Sequence, residues 1–441
     1  MRILATQILA RWARGQCRKV PVVAVRQALI LSGLGLSMLA FSQDELTKEC
    51  SAHMEGQCDA RYTPSEVEGA FSVPLEREEF VSIKKSRATR LSSASYKANF
   101  PIEDKYAVET TESGDVFVAV LDGHGECNNV LENAHFQELT LHISGGWQVS
   151  EYARKTLIGN VQNELAYLYK SGTHEPVQDD EDTESNDRVA AAIQRAFGRT
   201  DRDLMSEVAS AFKLGFGAVA RCGSCVCLVF VHGGTVHVAN AGDIRAVLGK
   251  LDKESQVLVA EPLSSDQNAM VKFEQDKLVK EHPGEANVFT CRHPDSCYVK
   301  GALQPTRALG DFALKHPEFN GPPYKDGDRS AGRHFSAPYT PPYITAMPEV
   351  KSHTLEEGDK FIIIGSDGLW DYLSNEEAIE VVSEAISRGN HDLAGRALVE
   401  RVLQKAAKRY GMTYQDLLSL PPGSSRRRRH DDTTVVVLFF E

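Results

Sequence analysis

The stretch VFVAVLDGHG, residues 116–125, runs six apolar residues into an aspartate, a glycine and a histidine. An apolar run bounded by turn residues is typical of a strand buried on both faces, and Asp-Gly is a common turn pair. The pattern recurs in KFIIIGSDG at 360–368, and HDDTTVVVL at 430–438 opens a strand on two aspartates. A further acidic pair, at 103–104, precedes a short segment that we expect to pair with 116–121. The sequence therefore predicts that carboxylates from distant parts of the chain meet at strand ends.

Composition places the chain among ordinary folded proteins. Its 441 residues are 42% hydrophobic and 25% charged, enough to bury a large core. The formal net charge of −12 argues against nucleic acid as a partner, because phosphates call for a basic face. The nine cysteines are an odd number and several stand in strand-like context, so we expect reduced, buried thiols and a reducing compartment.

The first 45 residues are predicted to be a targeting segment outside the fold. Residues 1–27 are rich in arginine and contain no acid, and an apolar run follows at 28–41. This pattern favours a mitochondrial presequence, whereas a secretory signal with a long basic region is the alternative. The apolar run is shorter than the ~20 residues of a spanning helix, so membrane association or anchoring through it stays open.

The rest of the chain is predicted to be a polar linker, 46–85, followed by one folded domain, 86–441. Two polar stretches within that domain predict surface insertions, an acidic one near 171–187 and a proline- and glycine-rich one near 320–342.

Helical periodicity is clearest at 148–169 and 187–213, and in two C-terminal segments. Ser374 and Glu377 fit a capping box at the start of the third helix, which Gly389 ends. For the fourth helix, Asp392 is the predicted cap and Gly411 the predicted end.

Residues 235–249 alternate between apolar and polar side chains around Gly242 and Asp243, which predicts a hairpin. Asp243 and Asp311 both follow glycine, and turn hydrogen bonding is the favoured role for each. Asp371 either reaches a peripheral metal or caps local backbone.

The acidic strand ends predict a site for hard cations. Carboxylates suit magnesium or manganese, and several of them packed together would repel one another without a cation. Two ions sharing one carboxylate can activate a water for in-line attack on a phosphoryl group. Asp122 is the predicted bridging ligand, Gly123 offers its backbone carbonyl, and His124 is placed to protonate the leaving oxygen.

Six motifs occur in the order found in the metal-dependent protein phosphatases of type 2C, which this sequence resembles. They are FPIEDKYAVE, VAVLDGHGE, VANAGDIRAVLG, KGALQPTRALGD, FIIIGSDGLWD and HDDTTVVVLFF. The resemblance implies an α+β fold, a four-layer α-β-β-α sandwich in which a central antiparallel β sandwich is flanked by helices. It also implies that residues 86–441 are a catalytic domain that hydrolyses phosphoserine or phosphothreonine in proteins.

Site residues follow from the same resemblance, motif by motif. Two Mg²⁺ or Mn²⁺ ions would be held by five residues and a metal-bound water would be the nucleophile, without a phosphoenzyme. The implied metal ligands are Asp104, Asp122, Gly123 through its carbonyl, Asp367 and Asp431. Glu103 would support them, and His124 would be the general acid.

Some features narrow the resemblance. NFPIED and YTPPYITAMPEV resemble the mitochondrial pyruvate dehydrogenase phosphatase branch, in which asparagine also replaces the family's phosphate-binding arginine, here Asn99. The alternative is a plant branch, because the Asn-Ala and His-Pro elements also resemble some plant members of the family. An amide offers a neutral hydrogen bond where guanidinium offers a charged fork, so phosphate affinity would rest more on the metals. Ala220 aligns with the family's third-metal aspartate, which puts a third ion in doubt.

Four further patterns have plainer interpretations. GFGAVA at 215–220 stands in the wrong order for a dinucleotide loop, and the trio Cys222, Cys225 and Cys227 reads as buried small hydrophobes. A zinc site is disfavoured for His282, Cys291, His293 and Cys297. The run RRRRH at 426–430 is either a solvated loop or a device that steers phosphorylated substrates toward the metals.

Two functional classes compete. The favoured one is an enzyme whose partner is a phosphorylated protein, and the other is a phosphatase-fold scaffold that acts by binding. The retained aspartates favour the enzyme. The physiological substrate, the oligomeric state and any regulatory subunit stay open.

Overall fold

The computed structural model describes residues 73–125, 145–170, 181–293, 296–321 and 334–440. The strands there are β1 (Arg77–Ser82), β2 (Ala88–Tyr96), β3 (Lys105–Thr110), β4 (Val116–His124), β5 (Gly223–His232), β6 (Thr235–Ala241), β7 (Arg245–Leu251), β8 (Leu258–Pro262), β9 (Phe289–His293), β10 (Ser296–Val299), β11 (Leu309–Gly310), β12 (Glu349–Thr354), β13 (Asp359–Gly365) and β14 (Thr433–Phe440). The α-helices are α1 (Gly146–Lys170), α2 (Glu181–Lys213), α3 (Lys272–Glu281), α4 (Phe312–Lys315), α5 (Asp367–Trp370), α6 (Asn375–Ser387), α7 (Ala394–Arg409), α8 (Tyr414–Ser419) and α9 (Ser424–Arg427).

Two antiparallel sheets form the centre of the domain. The first sheet has the strand order β1-β2-β14-β13-β7-β8, and the second has the order β12-β6-β5-β4-β3 with β11 added beside β5. Strands β9 and β10 form a separate two-stranded ribbon. The predicted pairing of 116–121 is confirmed, because β4 lies antiparallel to β3.

Alternate side chains of β4 enter two different hydrophobic cores. Val118 and Val120 join the core between the sheets, whereas Phe117 and Ala119 join the core beneath α1 and α2. A strand buried on both faces needs apolar residues at every position, which explains the unbroken run in the sequence.

The first sheet is covered in the same way by C-terminal helices. Phe361 and Ile363 of β13 pack in one cluster with Leu398 and Val402 of α7, and all four side chains are fully buried. Burying each such side chain contributes roughly 1.5–3 kcal/mol. The layers are therefore helix, sheet, sheet and helix, and the predicted α+β sandwich is confirmed.

The predicted hairpin at 235–249 is wrong. Strand β6 pairs with β5 and β12 in the second sheet, whereas β7 pairs with β13 and β8 in the first. The alternation of residues predicts strands but does not choose their partners. The connection 242–244 thus crosses from one sheet to the other, and it carries Asp243 across the end of the sandwich.

Two boundaries differ from those predicted. Helix α2 begins at Glu181, so part of the acidic stretch expected to be an insertion at 171–187 is helical. Strand β1 lies within the expected linker 46–85 and pairs with β2 along its whole length. Its exposed outer positions made it look like linker, because an edge strand has one solvated side.

The capping box at α6 is confirmed. Ser374 Oγ accepts a hydrogen bond from the Glu377 amide at 3.2 Å, and Glu377 Oε2 accepts one from the Ser374 amide at 3.0 Å. Helix α6 ends at Ser387, just before Gly389.

The predicted cap at Asp392 is wrong, because α7 begins at Ala394 and its cap comes from another strand. Ser92 Oγ of β2 accepts a hydrogen bond from the Gly395 amide at 3.1 Å and donates one to the Asp392 carbonyl at 2.8 Å. A tertiary contact thus satisfies the helix end that a local side chain was expected to satisfy. Helix α7 ends at Arg409, before Gly411.

Cysteine behaviour divides in two. Cys222, Cys225 and Cys227 are buried and remain thiols, as predicted. Cys291 and Cys297 instead form a disulfide across the ribbon of β9 and β10, so the expectation of reduced thiols is wrong for this pair. Their pairing also removes two ligands from the disfavoured zinc site.

In the part of the chain that the structure describes, no helix is long and apolar enough to cross a bilayer. The targeting segment predicted at 1–45 and its apolar run at 28–41 lie outside that part.

Candidate active site

Four of the predicted metal aspartates stand at one end of the sandwich. Asp104 precedes β3 and Asp122 stands near the end of β4, both in the second sheet. Asp367 follows β13 and Asp431 precedes β14, both in the first sheet. Because each pair of strands is antiparallel, the start of one strand lies beside the end of its partner. The two sheets thus deliver two aspartates each to the same end.

These aspartates share one electrostatic environment. Burial raises the pKa of Asp122 well above its usual range, and the charges of Asp367, Asp104 and Asp431 raise it further. Burial likewise raises the pKa of Asp367, with Asp431 as the largest charged contributor. Carboxylates whose charges raise the pKa of a neighbour lie close together in a poorly solvated place, and a cation would relieve this repulsion.

Asp104 is anchored by the opposite sheet. Ser366 Oγ donates to Asp104 Oδ2 at 2.7 Å and accepts from the Thr434 amide at 3.0 Å. Burial and the charge of Asp432 raise the pKa of Asp104, and the Ser366 hydrogen bond opposes that rise. The serine in IGSDG therefore fastens an acid of the second sheet to the first.

Asp243 belongs to the acidic group, contrary to the turn role predicted for it. Its Oδ1 accepts from Cys225 Sγ at 3.3 Å, and Asn268 Nδ2 donates to its Oδ2 at 3.4 Å. The charge of Asp243 raises the pKa of Asp122 and of Asp367. The crossover between the sheets brings this aspartate to the site.

Asp371, one turn beyond Asp367, lies at the exposed edge of the group. Burial of its carboxyl group raises its pKa, and the charges of Asp431 and Asp243 add to the rise. Asp371 thus interacts electrostatically with the predicted metal aspartates and is close to Asp367 in sequence.

The donor set fits hard divalent cations. The acidic group offers carboxylate oxygens, and the pKa values that these carboxylates raise in one another mark a place where positive charge would be stabilised. Within the described ranges, no three His, Cys, Asp or Glu side chains already stand as ligands of a single ion. The structure therefore brings the acidic charges together at one end of the sandwich.

Gly123 is required by close packing. A Cβ at this position would lie 2.5 Å from the Gly146 carbonyl oxygen and 2.8 Å from that of Glu103. Only glycine lets the start of α1 and the loop before β3 approach the end of β4 so closely.

His124 pairs with Asp311, a residue predicted only as a turn former. His124 Nε2 and Asp311 Oδ2 are 2.7 Å apart, and the Asp311 side chain is almost fully buried. Burial alone would lower the pKa of His124, but the Asp311 carboxylate outweighs it and the net pKa is raised. A protonated imidazole held in a fixed orientation is suited to donate a proton.

The Asp311 loop is itself held from α2. Asp201 Oδ1 accepts from the Gly310 amide at 2.8 Å, and Lys315 Nζ donates to both carboxylate oxygens of Asp201 at 2.8 Å. Lys315 also donates to the Ala308 carbonyl at 2.8 Å. A buried ion pair thus fixes the segment from which Asp311 reaches His124.

Asn99 stands among the acids. Its Nδ2 donates to Glu103 Oε2 at 3.3 Å, to Asp431 Oδ1 at 3.3 Å and to Asp432 Oδ2 at 3.1 Å. The amide predicted to contact phosphate therefore lies at the mouth of the acidic group.

Asp432 holds the loop that carries Asn99 and Glu103. Its Oδ1 accepts from the amides of Ala98 at 2.6 Å and Asn99 at 2.8 Å, and its Oδ2 accepts from the amide of Glu103 at 2.7 Å. Of the two aspartates that precede β14, Asp432 thus holds the backbone of this loop.

Glu103 has a pKa raised to about 7, because burial outweighs the opposing charge of Arg427. Arg427 Nη1 lies 3.3 Å from Glu103 Oε2 and 3.2 Å from Asp431 Oδ1. Glu103 and Asp431, one of the predicted metal ligands, are thus linked through their shared contacts with Asn99 and Arg427.

The four arginines of the run 426–429 differ in their surroundings. Arg426 is buried and donates to the carbonyls of Leu420 at 2.9 Å and Lys97 at 2.8 Å. Arg429 lies over the Tyr410 ring at 5.0 Å. Arg426 has a structural role, while Arg427 contacts the acids.

Ala220 is fully buried in the 3₁₀ helix Gly217–Arg221, and its methyl group provides no metal ligand. The segment 215–220 leads into that helix and then into β5, which excludes the strand-to-helix turn of a dinucleotide loop.

Four residues of the site were not predicted from the sequence: Asp311, Asp432, Ser366 and Gly223. A Cβ on Gly223 would lie 1.9 Å from Asp311 Oδ2, so this glycine makes room for the histidine–aspartate pair. The available signals were local: the glycine before Asp311, the doubled aspartate, and the serine of IGSDG.

Comparisons with known proteins agree with this geometry. A family model described as Protein phosphatase 2C matches residues 106–413. Probable protein phosphatase 2C 64 of Arabidopsis thaliana is 38% identical over 233 residues, which are 52% of this chain and 55% of that protein. Probable protein phosphatase 2C 67 of the same plant is 32% identical over 342 residues, covering 75% of this chain and 78% of that protein. The chain thus spans about half the length of the first relative.

A solved structure resembles the fold as well. The crystal structure of serine-threonine phosphatase 2C from Toxoplasma gondii matches with a TM-score of 0.52 at 17% identity, covering 83% of this chain and 99% of that chain. At this identity the likeness supports the fold alone. The family match and the second plant relative decide membership: this chain belongs to the protein phosphatase 2C family.

Proposed function

We propose that this chain hydrolyses phosphoserine and phosphothreonine monoesters in proteins with the help of two Mg²⁺ or Mn²⁺ ions. The observation that carries the proposal is the convergence of aspartates from both sheets at one end of the sandwich, where burial and neighbouring carboxylates raise the pKa values of Asp122 and Asp367. The ligands would be Asp104, Asp122, the Gly123 carbonyl, Asp367 and Asp431. When bound, the ions would neutralise phosphoryl charge and activate a water.

The chain's own residues supply orientation and a proton. Asp311 contacts Nε2 of His124, and we assign to Nδ1 the transfer of a proton to the leaving oxygen of serine or threonine. The buried pair of Asp201 and Lys315 keeps Asp311 in place during this transfer.

Phosphate release from a phosphothreonine peptide tests the proposal. We expect release to require added Mg²⁺ or Mn²⁺ and to fall by about 1000-fold or more in Asp122→Asn. Asp203→Asn is the matched control, because that aspartate is exposed on α2. Binding of a phosphoprotein without any turnover would contradict the proposal and support the scaffold alternative.

We also propose a substrate like that of the pyruvate dehydrogenase phosphatases and a mitochondrial location. The support is Asn99 together with the arginine-rich, acid-free residues 1–27. Imaging of a C-terminally tagged chain, with sequencing of its mature N-terminus, tests the location. Entry into the secretory pathway or retention in another membrane would discard both parts of this proposal.

A further inference from the structure

Arg427 approaches the acidic group from the C-terminal side of the chain. It lies at the end of α9, four residues before Asp431, and its guanidinium contacts both Glu103 Oε2 and Asp431 Oδ1. About half of its side chain is exposed, at 47%. A guanidinium group therefore lies at the solvent-exposed edge of the proposed phosphate site.

Asn99 contacts the same two oxygens. Its Nδ2 lies 3.3 Å from Glu103 Oε2 and 3.3 Å from Asp431 Oδ1. One neutral donor and one charged donor thus meet the same pair of carboxylate atoms. A phosphoryl dianion is bound more tightly by guanidinium than by an amide, because the hydrogen bonds are charge-assisted and paired.

Other cations near the acids are already engaged. Arg245 donates twice to Asp266, at 2.7 and 2.6 Å. Lys105 Nζ donates to the carbonyls of Ile102 at 2.7 Å and Asp104 at 3.1 Å. Recruiting either to a substrate would break these hydrogen bonds, whereas Arg427 needs only to turn within a half-exposed position.

We propose that Arg427 is the phosphate-binding cation of this chain and performs the contact that Asn99 is too short and uncharged to make. The proposal rests on the proposed function and names the group that recognises the phosphomonoester dianion. On substrate arrival the guanidinium keeps its place beside Asp431 and donates its remaining N–H groups to phosphoryl oxygens.

Arg427→Gln tests this role against Arg428→Gln, the next residue in the same run, which is also exposed. We measure KM and kcat for a phosphothreonine peptide and inhibition by inorganic phosphate, both with saturating Mn²⁺. Loss of a charge-assisted contact should raise the peptide KM and the inhibition constant of phosphate by about 10- to 100-fold. Arg428→Gln should change neither by more than about twofold.

A rescue experiment separates recognition from charge balance. Asn99→Arg introduced into Arg427→Gln should restore most of the phosphate affinity, because the new guanidinium would begin from the same pair of oxygens. Arg427→Lys, which keeps the charge without the fork, should be intermediate.

A purely structural guanidinium would give different results. If Arg427→Gln changed only Mn²⁺ affinity and left phosphate inhibition at the wild-type value, Arg427 would be a counter-charge for the acids and the proposal would be overturned. Stabilisation of each variant against heat by inorganic phosphate with Mn²⁺ reports binding without turnover. An inactive wild type that phosphate still stabilises through Arg427 would overturn the proposed hydrolysis and not this contact.

Discussion

Replacing Gly223 with alanine places a methyl group inside the contact between His124 and Asp311. An added Cβ would lie 1.9 Å from Asp311 Oδ2 and 2.6 Å from His124 Nε2, where real Cβ contacts stay above 3.0 Å. The pair must therefore separate by roughly 1 Å, and misplacement of that size can cost about 100-fold in rate. No titratable group is removed by this change, so it isolates the geometry of the pair.

Leaving-group dependence is the assay that identifies the lost step. Release of serine or threonine alkoxide needs a proton, whereas p-nitrophenolate leaves readily without one. We expect kcat for a phosphothreonine peptide to fall about 100-fold in Gly223→Ala, with a much smaller loss for p-nitrophenyl phosphate.

Gly234→Ala is the matched control, because a Cβ at this turn position between β5 and β6 meets nothing within 4 Å. Circular dichroism and the unfolding temperature of both variants establish that they fold. Equal losses with both substrates, or an unchanged peptide rate in Gly223→Ala, would refute the assignment of His124 as an acid positioned by Asp311.

Three further predictions concern stability. Asp432→Ala leaves three backbone amides without their acceptor and should lower the free energy of unfolding in urea by about 3 kcal/mol or more. A loss below about 1 kcal/mol would show that these three hydrogen bonds are dispensable for stability. Lys315→Met leaves the buried charge of Asp201 without its partner and should lower the free energy of unfolding by about 3–5 kcal/mol. Adding Asp201→Leu to this variant should recover part of that loss. Strictly additive losses from the two substitutions would contradict the pairing. Burial lowers the pKa of His237 to about 4, below the value of about 6.5 in the unfolded chain. The unfolded state therefore binds more protons than the folded state between these two pH values. The contribution of the neutral His237 to the free energy of unfolding is thus lost as pH falls from about 6.5 toward about 4. Between pH 7 and pH 5 the wild type should lose about 2 kcal/mol more than His237→Gln, and parallel pH profiles would contradict this.

Local patterns predicted much of the fold. The unbroken apolar runs of β4 and β13 were recognised because both faces of each strand are buried, and the capping box at Ser374 because its two hydrogen bonds join residues three apart. The aspartates at the strand ends were recognised as a group because antiparallel neighbours bring starts beside ends.

Long-range partners were not predictable in the same way. The strands around Gly242 and Asp243 read as a hairpin, yet each pairs in a different sheet, since residue alternation carries no information about the neighbour. The cap of α7 comes from Ser92, about 300 residues earlier in the chain.

Site residues that the family resemblance did not identify could not be predicted for the same reason, because their partners lie far away in the sequence. Asp311 looked like a turn aspartate because its partner His124 is 187 positions away. In the sequence Arg427 could not be distinguished from the other three arginines of its run. In the structure Arg426 is buried, whereas Arg427 is exposed and contacts Asp431. Chemistry that depends on a contact between distant residues becomes visible only after folding.

We propose that aspartates from both sheets hold two hard cations at one end of the sandwich. Anomalous diffraction at the manganese absorption edge, from crystals grown with Mn²⁺, would locate these ions. We expect two peaks about 3.5–4 Å apart that share Asp122 as a ligand, with Asp367 and Asp431 on the side of the first sheet. Manganese bound elsewhere, or no peak within reach of Asp122, would contradict the account.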